Sequence, residues 1–249
     1  MKKNIFLSLI TIVLVVTLVF SSCMLVKRFF DYNNANTYYE EKQEQYTEIV
    51  SLPEQTKEIE KEKLPITVNF EGLLKENKDI IGWLYLPDSP INYPVVQASN
   101  NSEYLYKGIN GQYLISGTIF ADFRNREIGV DENFIMYGHN MKNQTMFGVI
   151  DNYSSQSFYE KNPIIYYLTP NKNYKIQILA GKIVPFNDEI YTTSPKTDAF
   201  GKHIKSIVDS CDLKTEVKYD IGDKIITLST CTDNSGKTRY ILIGKYTEF

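Results

Sequence analysis

The chain is short of the residues that usually hold metals or carry redox chemistry. It has three cysteines, two histidines and one tryptophan in 249 residues. No pair of cysteines has metal-ligand spacing, and two distant histidines do not make a zinc site, so neither a metal nor another cofactor is expected. An excess of positive charge is also missing. Lys plus Arg number 27 against 30 Asp plus Glu, for a formal net charge of −3. That balance gives no reason to expect a nucleic-acid partner, which usually requires a strongly basic surface. Internal repeats and low-complexity tracts are absent, so solenoids and compositionally biased arrays are excluded as well.

A long apolar run is present once. From Asn4 to Val26 no residue is charged, and Lys2-Lys3 and Lys27-Arg28 flank the run. It is long enough to cross a hydrocarbon core, which takes about 20 apolar residues in a helix. A cleaved signal peptide is the competing reading, with a shorter apolar region of about 7–15 residues ahead of a small-residue site. Ser21-Ser22-Cys23 fits a lipoprotein-type site, but Phe20 fits it poorly. We read residues 1–28 as a short tip and an uncleaved transmembrane anchor; positive residues flank both ends, so charge leaves its orientation open, and the tip is cytoplasmic only by the resemblance described below. From Asp31 to Lys63 the composition turns to Glu, Lys, Gln, Asn and Tyr, with Pro53 the only strong breaker. Residues 29–64 are therefore expected to form a solvated, helical or partly disordered stalk that holds the rest off the membrane.

The remainder, 65–249, reads as one globular domain entered through a short helix at Phe70–Asn77. Across the whole chain, 43% apolar content allows one substantial domain, and 19 tyrosines, many in alternating runs, lean toward β structure. Strands are expected at Ile80–Leu86, Ile91–Gln97, Gly117–Ala121, Asn133–Tyr137, Ile164–Leu168, Tyr174–Pro185, Lys224–Thr230 and Arg239–Tyr246. Eight such segments suggest a closed or nearly closed barrel. Helices are expected at Thr145–Tyr159 and at Thr197–Ser210, where Phe200, Ile204 and Ile207 recur at helical spacing.

Chemistry concentrates near the C-terminus. The apolar approach Ile225-Ile226-Thr227-Leu228 reads as a buried strand that delivers Cys231 to a polar turn containing Gly236, and strand character resumes at Arg239. A cation beside a thiol favours the thiolate, the nucleophilic form. Two histidines compete to be its proton-transfer partner. His139 ends the apolar segment Phe134-Ile135-Met136-Tyr137-Gly138, whereas His203 sits in a surface helix and is expected to be solvated. A Cys231–His139 pair would have to be assembled by the fold, as Cys-His pairs normally are. Each residue has a plainer reading. Cys231 could be a packed core thiol and Arg239 an ion-pair partner of Asp233, while Asp233 itself reads either as an orienter of imidazole or as a rim residue. Cys211 reads as a helix-end residue, and composition alone leaves a Cys211–Cys231 disulfide open.

At these segments the sequence resembles the sortases, class B in particular. The resemblance rests on Thr227-Leu228-Ser229-Thr230-Cys231 with Arg239, and on Tyr137-Gly138-His139-Asn140-Met141. Gly82-Trp83-Leu84, Asn92-Tyr93-Pro94-Val95-Val96-Gln97 and Gly117-Thr118-Ile119-Phe120-Ala121-Asp122 resemble stretches of that class in the same order. It covers Asn69 to the C-terminus plus the anchor. It implies a mainly β fold, an eight-stranded barrel with a few peripheral helices. It implies a free catalytic Cys231 with His139 and Arg239, and substrate-groove residues at Ser229, Asn101 and Leu105. By the same resemblance, the catalytic domain stands on the extracellular face of the cell membrane of a Gram-positive bacterium. There it would join secreted proteins bearing a C-terminal sorting motif to a peptidoglycan amine, without a cofactor. Asn143-Gln144-Thr145 departs from the commonest histidine-loop pattern, and the Cys-to-Arg spacing of eight is shorter than in some members. Two other readings compete. An exported L,D-transpeptidase typically shows Ser-x-Gly-Cys-x-Arg, whereas Leu228-Ser229-Thr230 precede Cys231 here. A non-catalytic, membrane-anchored binding protein would keep its function after Cys231→Ala.

Overall fold

The computed structural model describes residues 2–50, 64–195, 197–232 and 236–248, and within them ten strands form. They are β1 (Thr47–Ile49), β2 (Ile66–Val68), β3 (Ile80–Tyr85), β4 (Asn92–Val96), β5 (Ile119–Ala121), β6 (Asn133–Tyr137), β7 (Ile164–Leu168), β8 (Asn173–Pro185), β9 (Ile225–Cys231) and β10 (Thr238–Glu248). The first two pair only with each other, and the remaining eight close into a barrel in the order β10-β8-β7-β3-β4-β5-β6-β9. These eight are the segments anticipated from apolar patterning, with ends displaced by two residues at most.

Closure leaves no unpaired edge. Six of its junctions are antiparallel, while β4–β5 and β6–β9 are parallel. Parallel neighbours need long crossovers, so β6 and β9 are brought side by side from remote parts of the chain. Inward-facing Leu84, Val95, Met136, Leu228 and Leu242 belong to one buried cluster. A second cluster packs α4 (Asp198–Asp209), through Phe200, Ile204 and Ile207, against Leu179, Ile225 and Ile241. Thr197 caps α4 by accepting from the Phe200 amide. The lone tryptophan, Trp83, is fully buried and donates to Asn92 Oδ1 at 2.7 Å.

Two expectations need correction. Residues 145–159 are not one helix. A turn with positive φ at Gln144 (64°) and Met146 (54°) gives way to a 3-10 turn at Ile150–Ser154 and then to α3 (Gln156–Lys161). The stalk differs too. A single helix, α1, runs from Lys2 to Tyr46. It is the one described helix long and apolar enough to cross a membrane. Beyond its exposed apolar part it docks on the barrel, burying Ala35, Tyr39 and Tyr46. Lys42 pairs with Glu76 of α2 (Phe70–Glu76) at 2.7 Å, both largely buried, and Gln43 Nε2 donates to the Asn92 carbonyl at 2.9 Å. Residues 51–63 of the expected stalk lie outside the described residues.

Candidate active site

The parallel pair β6–β9 is what gathers the site. Its last registered partners are Tyr137 and Ser229, and His139 and Cys231 each follow two residues later, so both stand at the same barrel end, His139 just past β6 and Cys231 as the last residue of β9. The exit is held together. The Gly138 amide donates to the Ser229 carbonyl at 3.2 Å, Thr230 Oγ1 to the Gly138 carbonyl at 2.8 Å, and Asn140 Nδ2 to the Cys231 carbonyl at 2.8 Å. On the other side β10 presents Arg239 as the antiparallel partner of Cys231. Directly opposed residues point to the same face with Cβ atoms about 4.5–5.5 Å apart. Cys231, His139 and Arg239 line one cleft of about 400 Å³, with Asn101, Leu105, Tyr191 and Ser229 also in its wall.

His139 is oriented by backbone. Its Nε2 lies 2.7 Å from the Leu105 carbonyl oxygen. A carbonyl only accepts, so Nε2 carries the proton and the neutral ring keeps its Nδ1 lone pair for exchange. Burial pushes the imidazole below its ordinary range, and the Leu105 hydrogen bond opposes that only partly. Gly117, at φ +56°, lies so close that a Cβ there would collide with the Leu105 carbonyl. Glycine thus permits the approach that fixes this acceptor. Tyr106 flanks the imidazole with ring centroids 5.2 Å apart.

Cys231 is a half-buried free thiol, and Cys211 is free as well. The Cys211 thiol instead donates to the Gly181 carbonyl at 3.2 Å, close to the end of α4. Among the described residues no hydrogen bond joins Cys231 to His139. Arg239 Nη1 donates to the Gly236 and Thr238 carbonyls at 2.8 and 3.0 Å, which anchors one edge of the guanidinium. Asp233, considered above as its partner, lies outside the described residues.

The three expected groove residues differ in what they present. Ser229 is buried, and its Oγ is 2.9 Å from the Tyr191 hydroxyl; burial, against Ser229 and the Arg239 charge, pushes that phenol up to about 12. Asn101 is occupied internally, donating to Asp122 Oδ2 at 3.0 Å and accepting from the Phe123 amide at 2.9 Å. Leu105 contributes its carbonyl to His139.

Sequence reasoning missed Asp122, the fully buried hub of this wall. It accepts from Arg124 Nε and Nη2 (both 2.8 Å), the Arg124 amide (2.9 Å), Asn101 and the Tyr137 hydroxyl (2.8 Å). Burial alone would raise its carboxyl, but the Arg124 and other hydrogen bonds outweigh that and hold it below the usual range. Asn140 and Tyr191 were missed for want of a local pattern. His203 needs correction, being only partly exposed and bonded to Asp188 Oδ1 at 2.7 Å. Asp188 also caps the 3-10 turn Glu189–Tyr191, which delivers Tyr191 to the cleft.

A closed barrel whose rim gathers a thiol, an imidazole and a guanidinium is, by residue type, the class of site suited to acyl transfer through sulfur. The family model of the sortase domain matches residues 84–247, and the chain belongs to the sortase family, transpeptidases of the cell wall. Its similarities lie with class B. It is 30% identical to sortase B of Staphylococcus aureus (strain NCTC 8325 / PS 47) over 98% of both chains. A Staphylococcus aureus sortase B–substrate complex superposes with a TM-score of 0.68 at 33% identity, covering 72% of this chain and 84% of that one. Sortase B from Bacillus anthracis in complex with AAEK1 superposes with a TM-score of 0.74 at 27% identity, covering 89% of this chain and all of that one.

Proposed function

We propose that this transpeptidase works through a Cys231 thioester and is held on the outer face of the cell membrane by α1. The observation that carries the proposal is the register that puts Cys231 opposite Arg239 and at the same barrel end as His139. The Cys231 thiolate attacks a peptide carbonyl of the donor, and the developing oxyanion is met by the Arg239 guanidinium. Collapse of the tetrahedral adduct breaks the C–N bond, and protonated His139 gives its Nδ1 proton to the departing amine. An acceptor amine, losing a proton to His139, then attacks the thioester. The C–S bond breaks and the thiolate is regenerated. Because burial disfavours the imidazolium, a smaller share of His139 carries the proton the departing amine needs, and turnover is expected to be slow.

The donor is read as a secreted protein with a C-terminal sorting motif, which the substrate complex of the Staphylococcus aureus relative supports by similarity. The acceptor is read as a peptidoglycan peptide amine. The wall formed by Asn101, Leu105 and Ser229 is assigned to the donor peptide. Membrane anchoring is supported by the apolar composition of α1 and by its unbroken run onto the barrel. The test uses labelled sorting-signal pentapeptides. Cys231→Ala is expected to abolish cleavage, and an added amine to divert the product from acid to amide. Retained cleavage by Cys231→Ala would remove the thiol from the mechanism.

A further inference from the structure

We infer that the loop from Asn110 to Ile115 seats in the lipid headgroup layer at the foot of α1, so that the cleft opens beside the bilayer surface. The inference rests on the reading of α1 as a membrane anchor. At a 1.5 Å rise per residue the uncharged run from Asn4 to Val26 spans roughly 35 Å, enough for a hydrocarbon core of about 30 Å. Lys27 and Arg28 then mark the headgroup level, where cations meet anionic lipid.

Two points fix the loop against this helix. The Asn110 amide donates to the Tyr38 hydroxyl at 3.2 Å, which puts the start of the loop roughly 15 Å above Arg28 along the axis. Ile115 shares a crevice with Met24, Leu25, Lys27, Arg28 and Asp31, which puts its end at the level of the charged pair. The loop therefore descends along α1 toward the membrane. Internal bonds stiffen it: Gly108 N to Gln112 O at 2.9 Å, Gly111 N to Gly108 O at 3.0 Å and Leu114 N to Tyr106 O at 2.9 Å.

What this loop exposes suits an interface. Tyr113 is 70% exposed and stacks on Tyr106, 52% exposed, with ring centroids 6.3 Å apart. Phe29 and Phe30 of α1 are also exposed. Aromatic rings of this kind collect at the membrane–water boundary, where tyrosine has an apolar body and a wet hydroxyl. Tyr106 is in turn the neighbour of His139. Two ring-to-ring steps thus separate the imidazole from the ring we place among the headgroups, and substrates held in the membrane would meet the cleft without leaving it.

The test reads depth by fluorescence quenching. Full-length protein is reconstituted in a phosphatidylcholine–phosphatidylglycerol bilayer whose acyl chains carry bromine near the headgroups. Trp83, buried in the barrel, serves as constant background. Single variants Tyr113→Trp and Ile115→Trp report the loop, Phe20→Trp reports the anchor, and Ile221→Trp, exposed in the turn before β9, reports a site away from the cleft. Tyr113→Trp or Ile115→Trp is expected to lose at least about half of its added emission, as a residue at the interface does, while Ile221→Trp is unaffected. Quenching of Phe20→Trp with both loop variants as bright as Ile221→Trp overturns this inference and leaves the anchor standing. No quenching of Phe20→Trp overturns the anchor, and this inference with it.

Discussion

Replacing Arg239 by lysine separates charge from geometry. The two carbonyls of Gly236 and Thr238 take the Nη1 edge of the guanidinium, and Arg239 lines the cleft opposite Cys231. Lysine keeps the charge but has a single ammonium on a flexible stem, which cannot hold both carbonyls and still reach an oxyanion. Loss of one such donor typically costs about 10²–10³ in kcat, or roughly 3–4 kcal/mol of transition-state stabilisation. Since charge is retained, Arg239→Lys should sit at the lower end, near 10²-fold. The loss belongs in kcat, because a donor aimed at the oxyanion acts mainly in the transition state. Folding should lose about 0.5–1.5 kcal/mol, because the two carbonyl bonds are weakened at a half-buried rim position. Steady-state kinetics on a sorting-signal peptide beside a thermal melt measures both. A lysine variant within twofold of the parent kcat, or a loss confined to KM, would refute the oxyanion role.

Three further outcomes are expected. The His139 ring should titrate below 6.5, read by NMR with His203→Gln used to assign the only other histidine, and a value at or above 6.5 contradicts the burial argument. The linked stability has a definite sign. A folded-state pKa lowered below the unfolded value means the unfolded chain binds more protons in the window from that lowered value up to 6.5. Stability therefore rises with pH through this window, and His139→Gln should flatten that slope. Tyr39→Phe removes the hydroxyl that donates to the Gly117 carbonyl and also bonds Thr118 Oγ1 at 3.2 Å, and should cost about 1–2 kcal/mol by denaturant unfolding; an unchanged midpoint would mean the α1 docking contributes nothing there. Asp122→Asn puts a donor where Asn101 and Tyr137 also donate and unpairs Arg124, at about 2–3 kcal/mol once the partly exposed Arg124 is discounted, and an unaltered melt would dismiss the hub.

The barrel was legible because each wall strand repeats an apolar pattern over five or more residues or ends at a clear turn. The histidine turn was not, for a physical reason. Met146, Val149, Ile150 and Tyr153 are all buried at spacings that imitate a helix, yet the left-handed backbone at Gln144 and Met146 makes a turn instead. The α1 docking left a readable trace in Tyr32, Ala35, Tyr39, Lys42 and Tyr46, spaced three and four apart, which the surrounding charges obscured. Cys231, His139 and Arg239 stood out as candidates through their places at strand ends and through the motifs shared with the sortases. The parts that orient them could not, since the Leu105 carbonyl is backbone and the Asp122 cluster joins residues whose meeting depends on barrel closure.

The most direct test of the account is intact-protein mass spectrometry of the full-length enzyme with a panel of sorting-signal pentapeptides. The account predicts an adduct of the donor's N-terminal fragment on Cys231 that hydroxylamine releases and an amine acceptor discharges. Amide product formed with Cys231 never acylated, or an adduct found on Cys211 instead, would contradict it.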